Sequence, residues 1–199
     1  MTIFRAREAP RKTHSEIARE WDAVAEKRDQ QIRSGADVSY NRILLPEILK
    51  LSREADWSLV FDGGCGTGTL TETLARQASD VVGVDISRRS IAIAQGSPLK
   101  GRNVRYIVSS IERFSERYDG TPFSLAVLNV MLQDTPTLRA TLSAVSALLR
   151  PGGVLVATLT HPCFWPQYWG YAREKWFRYE RETAIEAPFR ISSVRRPAG

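Results

Sequence analysis

Residues 59–70 read LVFDGGCGTGTL, and this stretch decides the fold. An apolar run ends in Asp62, and a loop follows with glycine at every second position, at Gly64, Gly66 and Gly68. Glycine has no Cβ and adopts positive φ readily, so such a loop turns sharply and lets its backbone approach a bound molecule. The stretch therefore predicts a strand, a ligand-binding loop and the start of a helix.

Two other interpretations of the loop are an ordinary strand-to-helix turn and the dinucleotide fingerprint G-x-G-x-x-G. Counted from Gly64, the position of the third fingerprint glycine holds Thr69. Asp62, just before the loop, would repel a pyrophosphate. These two features favour a cationic ligand, which Asp62 would help to hold, over a dinucleotide.

A second apolar run that ends in an acid follows at the distance expected for a βαβ unit. Residues 81–87 read VVGVDIS, and Asp85 lies 17 residues beyond Gly68. A carboxylate at the tip of the second strand accepts hydrogen bonds from both hydroxyls of a ribose in nucleoside-binding α/β folds. The alternative is that Asp85 only starts the next turn.

The spacing D-x-G-x-G-x-G at residues 62–68, followed by Asp85, resembles the first motif of class I S-adenosylmethionine-dependent methyltransferases. The resemblance covers roughly residues 40–164 and implies an α/β, Rossmann-like, doubly wound and mostly parallel sheet. It implies S-adenosyl-L-methionine as cofactor and methyl transfer to an oxygen, nitrogen or carbon nucleophile of a small-molecule acceptor. The alternatives are an NAD-dependent oxidoreductase and a catalytically inactive, cofactor-binding partner subunit.

Apolar runs and helical patterns alternate along the chain, as in a parallel sheet covered on both faces. The pattern predicts strands at 58–62, 81–85, 104–108, 124–130 and 154–160, and helices at 15–32, 43–51, 69–78, 88–95 and from a Thr135–Pro136 start to 149, with a turn at 150–153. We divide the chain into an N-terminal tail and lid helix (1–39), the cofactor-binding core (40–164) and an aromatic-rich substrate or dimer segment (165–199).

At the methionine end of the cofactor, the resemblance points to three residues. Tyr40 and Arg42 precede the second helix, where lid residues of similar methyltransferases reach the cofactor; alternatively, they pack or cap that helix. Asn129 lies near the end of the fourth strand and is expected to line the sulfonium side. No proline pair or aromatic residue follows it, which argues against methylation of a flipped base.

At the adenine end, three more residues correspond by position. Ile86 offers an apolar surface to the ring, although core packing is an adequate alternative. Ser110 stands where the family usually has an acid, and its hydroxyl can still accept a hydrogen bond from the adenine amino group. The backbone N–H of Ile111 would donate to the ring.

His161 directly follows the fifth predicted strand, at the edge where doubly wound sheets bind ligands. A histidine there would remove a proton from the acceptor as methyl transfer proceeds, or it would only shape the turn before Pro162. The HPCF sequence at 161–164 resembles bacterial small-molecule methyltransferases. Cys65 and Cys163 form no metal-binding pattern, so we expect no metal.

Half of the chain's 18 aromatic residues lie in residues 161–199. This density suits a pocket for an apolar or aromatic acceptor and equally suits a dimer surface. The family's sheet has seven strands, and only residues 189–194 offer a sixth here, so the C-terminal strand pair is expected to be incomplete. A homodimer that covers the open edge is one expectation.

The net charge of +6 comes from the two ends of the chain. Residues 1–12 and 189–199 each contribute +3, which leaves 13–188 neutral. Charge confined to the termini is a weak footprint for a nucleic-acid enzyme. No apolar run approaches the ~20 residues of a membrane span, and the first residues lack a signal-peptide core, so we expect a cytoplasmic protein.

Overall fold

The computed structural model describes residues 6–186 of the chain. Its strands are β1 (Arg7–Glu8), β2 (Leu59–Gly63), β3 (Asp80–Asp85), β4 (Val104–Val108), β5 (Phe123–Asn129), β6 (Leu149–Thr158) and β7 (Ile185–Glu186). Its α-helices are α1 (His14–Arg33), α2 (Leu45–Leu51), α3 (Thr69–Leu74), α4 (Arg88–Gly96), α5 (Ile111–Arg117), α6 (Leu138–Leu148) and α7 (Trp165–Tyr168). A π-helical turn (Tyr40–Leu44) precedes α2, and a 3₁₀ turn (Leu132–Asp134) precedes α6.

The main sheet has five strands in the order β4-β3-β2-β5-β6, and every neighbouring pair is parallel. The chain moves outward from β2 to β4 and then returns to the other side of β2 with β5. Ligand sites in such doubly wound sheets lie beyond the carboxyl ends of the strands at this reversal. The predicted fold class is confirmed, and the glycine loop lies at the carboxyl end of β2.

The core has two layers because side chains alternate along the buried strands. Val60 and Leu125 point into a cluster with α2, α3 and α4, whereas Phe61 and Ala126 point into a cluster with α5 and α6. The second layer is rich in aromatic contacts, such as that between Phe61 and Phe114 with ring centroids 5.6 Å apart. Both faces of the sheet are therefore covered by helices.

The five predicted strands and the five predicted helices are present, most of them with ends shifted by a few residues, and two helix boundaries were wrong. The helix predicted over 69–78 ends at Leu74, because the side-chain amide of Asn103 donates to the carbonyl oxygens of Ala75 and Ala78 at 3.0 and 2.9 Å. Those carbonyl oxygens bond to a neighbouring loop, and the chain turns there.

The last predicted helix begins at Leu138, with Thr137 as the preceding extended residue, and not at Thr135–Pro136. The hydroxyl of Thr135 donates to the carbonyl of Leu132 at 3.2 Å and so closes the 3₁₀ turn. The turn predicted at 150–153 lies inside β6, as an irregularity in its pairing with β5 at which Gly152 has a φ of +75°. The second predicted helix begins as the π-helical turn.

A short antiparallel pair, β1 with β7, joins the two ends of the described chain. The Arg7 guanidinium donates to the Glu186 carboxylate at 2.6 and 2.9 Å, and Lys12 donates to the same group at 3.1 Å. The strand predicted at 189–194 lies outside the described residues. Among residues 6–186, no helix combines the length and apolar character that crossing a bilayer requires.

Candidate functional site

The glycine loop at the carboxyl end of β2 is held by backbone hydrogen bonds to β3. The amides of Gly64 and Cys65 donate to the carbonyl of Val84 at 2.8 and 3.2 Å. Gly64, Gly66 and Gly68 have φ of +72°, +55° and +84°, the left-handed region that favours glycine. The predicted sharp turn is thus present, and each of the three glycines is required by its backbone.

The three glycines differ in what a side chain would meet. A Cβ at Gly64 would lie 2.8 Å from the Cβ of Met131, and one at Gly68 would lie 2.3 Å from the Tyr106 hydroxyl. A Cβ at Gly66 would have no protein atom within 4 Å. Gly64 and Gly68 are therefore needed for close packing, whereas Gly66 borders open space in which a ligand can contact the backbone.

Asp62 is buried at the end of β2 and only partly satisfied. Its Oδ2 accepts from the Thr71 hydroxyl at 2.6 Å, and its Oδ1 has no hydrogen-bond partner. Burial raises the pKa of Asp62 from 3.8 to about 7, and the nearby Asp85 carboxylate adds to this rise. An unpartnered oxygen on a buried acid is costly unless a ligand donates to it.

Three more buried polar atoms without partners come from elements around the glycine loop. They are the Tyr40 hydroxyl, Thr69 Oγ1 at the start of α3, and Gln31 Oε1 on α1. Burial raises the pKa of the Tyr40 hydroxyl, and the Asp62 carboxylate acts in the same direction. Unsatisfied groups are rare in protein interiors, so three such atoms on α1, the π-helical turn and the start of α3 fit a site for a polar ligand.

Two arginines of α1 reach this region, and no sequence pattern indicated them. Arg28 pairs with Asp37 at 2.5 Å, and Asp37 also accepts from the amide of Tyr40 at 2.9 Å. Arg33 forms a two-fold contact with Glu72 at 2.8 and 3.0 Å. Arg42 is exposed on the π-helical turn, and its role at the cofactor stays a prediction.

Asp85 lies at the tip of β3, next to the glycine loop, as the spacing predicted. Its Oδ2 accepts from the amide of Gly66 and its Oδ1 from the amide of Ser87, both at 2.8 Å. Burial raises the pKa of Asp85, and the two amides oppose that rise. Each oxygen keeps a second lone pair, so the carboxylate can still accept from a ribose. Ile86 beside it is half-buried.

At the predicted adenine end, Ser110 caps α5. Its hydroxyl oxygen accepts from the amide of Arg113 at 3.2 Å, so this side chain already has a structural partner. Ile111 is buried in the core, and its Cδ1 would be 2.8 Å from a Cβ added at Gly63. Contacts of Ser110 and Ile111 with adenine stay predictions.

The end of β5 contains a strained residue that the sequence did not indicate. Asn129 accepts from the Thr158 hydroxyl at 2.7 Å, which fixes its side chain against β6. Val130, the next residue, has a φ of +51°. A β-branched residue is rarely found there, at a cost of about 1–3 kcal/mol, and such strain occurs mainly at functional sites. Met131 then packs against Gly64.

His161 lies just beyond β6 and is exposed. Its Nδ1 accepts from the amide of Cys163 at 3.2 Å, and its ring packs against Phe164 with centroids 4.7 Å apart. In the neutral ring the proton is then on Nε2. The loop places His161 at the carboxyl edge of the sheet, and its role as a base stays a prediction.

The match to a known family covers β2 to the start of β6. Residues 60–153 match a family described as "Methyltransferase domain". This match agrees with the resemblance of the glycine loop and Asp85 to the class I S-adenosylmethionine-dependent methyltransferase superfamily. The match includes the whole glycine loop, Asp85 and Asn129, and it favours a methyltransferase over an oxidoreductase.

Individual relatives agree with this family. Over 102 residues the chain is 32% identical to a "Ubiquinone biosynthesis O-methyltransferase" of Erwinia tasmaniensis, a match that covers 50% of this chain and 42% of that protein. The chain thus spans less than half of this relative. Two solved structures share the fold. The DhpI-SAH complex has a TM-score of 0.59 and 21% identity, over 75% of this chain and 70% of that chain. The [4+2]-cyclase SpnF has a TM-score of 0.62 and 19% identity, over 77% of this chain and 62% of that chain.

Proposed function

We propose that the chain is an S-adenosylmethionine-dependent methyltransferase that acts on a small molecule. The observation that carries this proposal is the open space at Gly66, whose amide bonds to the Asp85 carboxylate, in a glycine loop that follows the partly satisfied acid Asp62 within a methyltransferase domain. When bound, the cofactor supplies an electrophilic methyl group on a sulfonium. Asp85 would accept from the ribose hydroxyls, and Asp62 from the ammonium.

Helix α1 supports the exclusion of water from such a site. His14 contacts Glu112 of α5 at 3.2 Å, Asp22 accepts from residues at the start of α4, and Arg33 pairs with Glu72 of α3. The helix therefore crosses the N-terminal ends of three helices on the ligand-binding side of the sheet. Alignment of the nucleophile with the methyl group under this cover would supply much of the rate acceleration.

We further propose that the acceptor is an aromatic compound with a hydroxyl group. The Erwinia tasmaniensis relative is named an O-methyltransferase, an enzyme that transfers the methyl group to oxygen. In this chain, aromatic side chains follow β6: Phe164 and Tyr168 are 69% and 57% exposed, and Tyr168 stacks on Trp165 with centroids 5.4 Å apart. In the reaction a new C–O bond forms, the C–S bond breaks, and the hydroxyl proton goes to His161 or to water.

The proposed activity is tested with cofactor labelled in its methyl group and a panel of catechols, phenols and aliphatic amines. Appearance of the label in an aromatic ether, with one equivalent of S-adenosylhomocysteine, is the expected result. Label in an amine would contradict the acceptor class alone. Cofactor binding without turnover on any acceptor would favour the inactive partner subunit, an alternative kept because the cyclase SpnF shares this fold.

The raised pKa of Asp62 predicts opposite pH effects on binding and on stability. The ammonium of the cofactor needs the ionised acid, so affinity for S-adenosylhomocysteine should fall roughly tenfold between pH 8 and pH 6. Because a raised folded-state pKa favours the protonated form, Asp62 should make the free protein less stable as pH rises from about 4 to 7.

Calorimetric titrations and thermal unfolding of the wild-type protein and of Asp62→Asn test both effects. The asparagine can still accept from Thr71 but does not titrate, so both pH dependences should shrink in this variant. If affinity for S-adenosylhomocysteine depends on pH equally in the two proteins, Asp62 has no role in cofactor binding.

Asp85→Ala should weaken cofactor binding by about 10- to 150-fold, which corresponds to about 1.5–3 kcal/mol for hydrogen bonds to a charged group. Asp80→Ala, at the exposed start of the same strand, is the matched control and should bind normally. Calorimetry with folded proteins checks both variants. Unchanged affinity in Asp85→Ala would show that Asp85 does not bind the ribose.

Homodimerisation and a cytoplasmic location stay predictions. Within residues 6–186, β6 hydrogen-bonds to β5 and lies at one edge of the main sheet, and Leu155 on it is 38% exposed. This edge supports a proposed contact with a second copy. Light scattering over a range of protein concentrations tests it: the expected mass is that of a dimer, and a monomer at all concentrations would exclude it.

A further inference from the structure

Two carboxylates of α1, Asp22 and Glu26, contact the start of α4. Glu26 pairs with the exposed side chain of Arg89, whereas Asp22 reaches the buried first turn of that helix. Oδ1 of Asp22, on α1, accepts from the hydroxyl of Ser87 at 2.6 Å and from the amide of Arg89 at 2.9 Å. Ser87 is fully buried, and Asp22 is half-buried. The carboxylate thus satisfies donors at the first turn of a helix to which it does not belong, as an N-cap side chain would.

The same serine connects Asp22 to the predicted ribose site. The amide of Ser87 donates to Oδ1 of Asp85, and Oδ2 of Asp85 accepts from the amide of Gly66, both at 2.8 Å. The Ser87 hydroxyl also accepts from the amide of Ser90 at 3.0 Å, so it can donate its one proton to Asp22. A continuous series of hydrogen bonds therefore joins α1 to the loop at which the cofactor would lie.

The two acids are close enough to interact. The Asp22 carboxylate raises the pKa of Asp85, although burial is the larger cause. Without donors between them, two carboxylates this close would repel each other. The donors of Ser87, Arg89 and Gly66 offset that repulsion, so the arrangement of Asp85 depends on whether α1 is in place.

We propose that Asp22 is a positioning residue that sets α1 over the cofactor site and couples its closure to ribose binding at Asp85. The inference rests on the proposed function for its ligand. By linkage, if closure of α1 strengthens cofactor binding, cofactor binding must stabilise the closed helix to the same extent. Loss of the Asp22 contacts should weaken both together.

The test compares Asp22→Ala, Asp22→Asn and the control Asp29→Ala. The Asn oxygen can accept both hydrogen bonds, whereas Ala accepts none. Asp29 lies on the same helix and pairs with Arg33 of that helix at 2.9 Å, so its loss removes the same charge without removing the contact with α4. Should Asp22→Ala not fold, Asp22→Ser replaces it, because its hydroxyl is too short to reach both donors.

Two readouts are measured for each variant: amide hydrogen exchange of residues 14–33 and 87–91 in the free protein, and the dissociation constant for S-adenosylhomocysteine. In Asp22→Ala we expect exchange at least tenfold faster in both segments, a dissociation constant raised about 5- to 30-fold, and no added protection of α1 by the ligand. In Asp22→Asn the exchange rates and the dissociation constant should be within threefold of the wild-type values, and in Asp29→Ala both should equal them.

Equal exchange and equal affinity in Asp22→Ala and Asp29→Ala would overturn the proposal, as would failure of Asp22→Asn to recover. Failure of the wild-type protein to bind S-adenosylhomocysteine would instead overturn the proposed function and with it the coupling to ribose. Exchange in the free protein would then still show whether Asp22 holds α1 against α4.

Discussion

Gly66→Val is expected to reduce cofactor binding by more than 100-fold while the protein still folds. The Cβ at this position meets no protein atom within 4 Å, so the valine side chain would enter the space assigned to the cofactor. The φ of +55° adds strain of about 1–3 kcal/mol, which lowers stability without a clash in the free protein. Calorimetry with S-adenosylhomocysteine and thermal unfolding measure the two effects separately.

Gly152→Val is the matched control for this backbone strain. Gly152 has a φ of +75°, and a Cβ added to it would likewise have no protein atom within 4 Å. It lies far from the glycine loop, in the irregular part of β6 near the amino end of the sheet. It should lose a similar amount of stability and keep its cofactor affinity. Near-normal binding by Gly66→Val would mean that the glycine loop is only a turn.

His161→Ala is expected to lower turnover by roughly 10²- to 10⁴-fold, with cofactor affinity close to normal, if His161 takes the acceptor proton. The hydrogen bond from the Cys163 amide to Nδ1 gives this residue a second, structural role. His161→Asn separates the two, because its side-chain oxygen can accept from that amide but cannot take a proton. Both variants should therefore be similarly slow, and raising the pH should partly restore them for acceptors that ionise.

Steady-state rates on the acceptor found with the labelled cofactor check this prediction. Wild-type turnover in His161→Ala would show that alignment of the acceptor suffices without a base. A slow alanine variant and a normal asparagine variant would assign His161 a purely structural role at the end of β6.

Much of the fold followed from local patterns. The buried strands β2, β3 and β5 are short apolar runs that end in polar residues, and such runs are predicted well from sequence because both faces of the sheet are covered. The glycine loop and Asp85 were also predictable, since their spacing is set by one strand, one helix and the next strand. Both features depend on residues close together in the chain.

Features that depend on distant residues were missed. The side chain of Asn103 ends α3, although it lies almost thirty positions further along the chain. The Thr135 hydroxyl closes a 3₁₀ turn, although threonine before proline is typical of a helix start. The contacts of α1 belong to the same class: no local pattern indicates that Asp22 bonds to the start of α4 or that Arg33 pairs with Glu72.

The three glycines of the loop show the same limit at the site. Their spacing in the sequence predicted one common role, the close approach of the backbone to a ligand. The structure separates them, because Gly64 packs against Met131 and Gly68 against Tyr106, and Gly66 alone of the three borders open space. Met131 follows β5 and Tyr106 lies on β4, so this difference arises only when the sheet forms.

Calorimetric titration of the wild-type protein with S-adenosylhomocysteine, and in parallel with NAD, tests the central claim most directly. We predict one saturable site for S-adenosylhomocysteine with a dissociation constant below about 100 μM, a binding free energy beyond about −5.5 kcal/mol, and no saturable heat with NAD. Saturable binding of NAD without binding of S-adenosylhomocysteine would contradict the claim that Gly66 and Asp85 form an S-adenosylmethionine site.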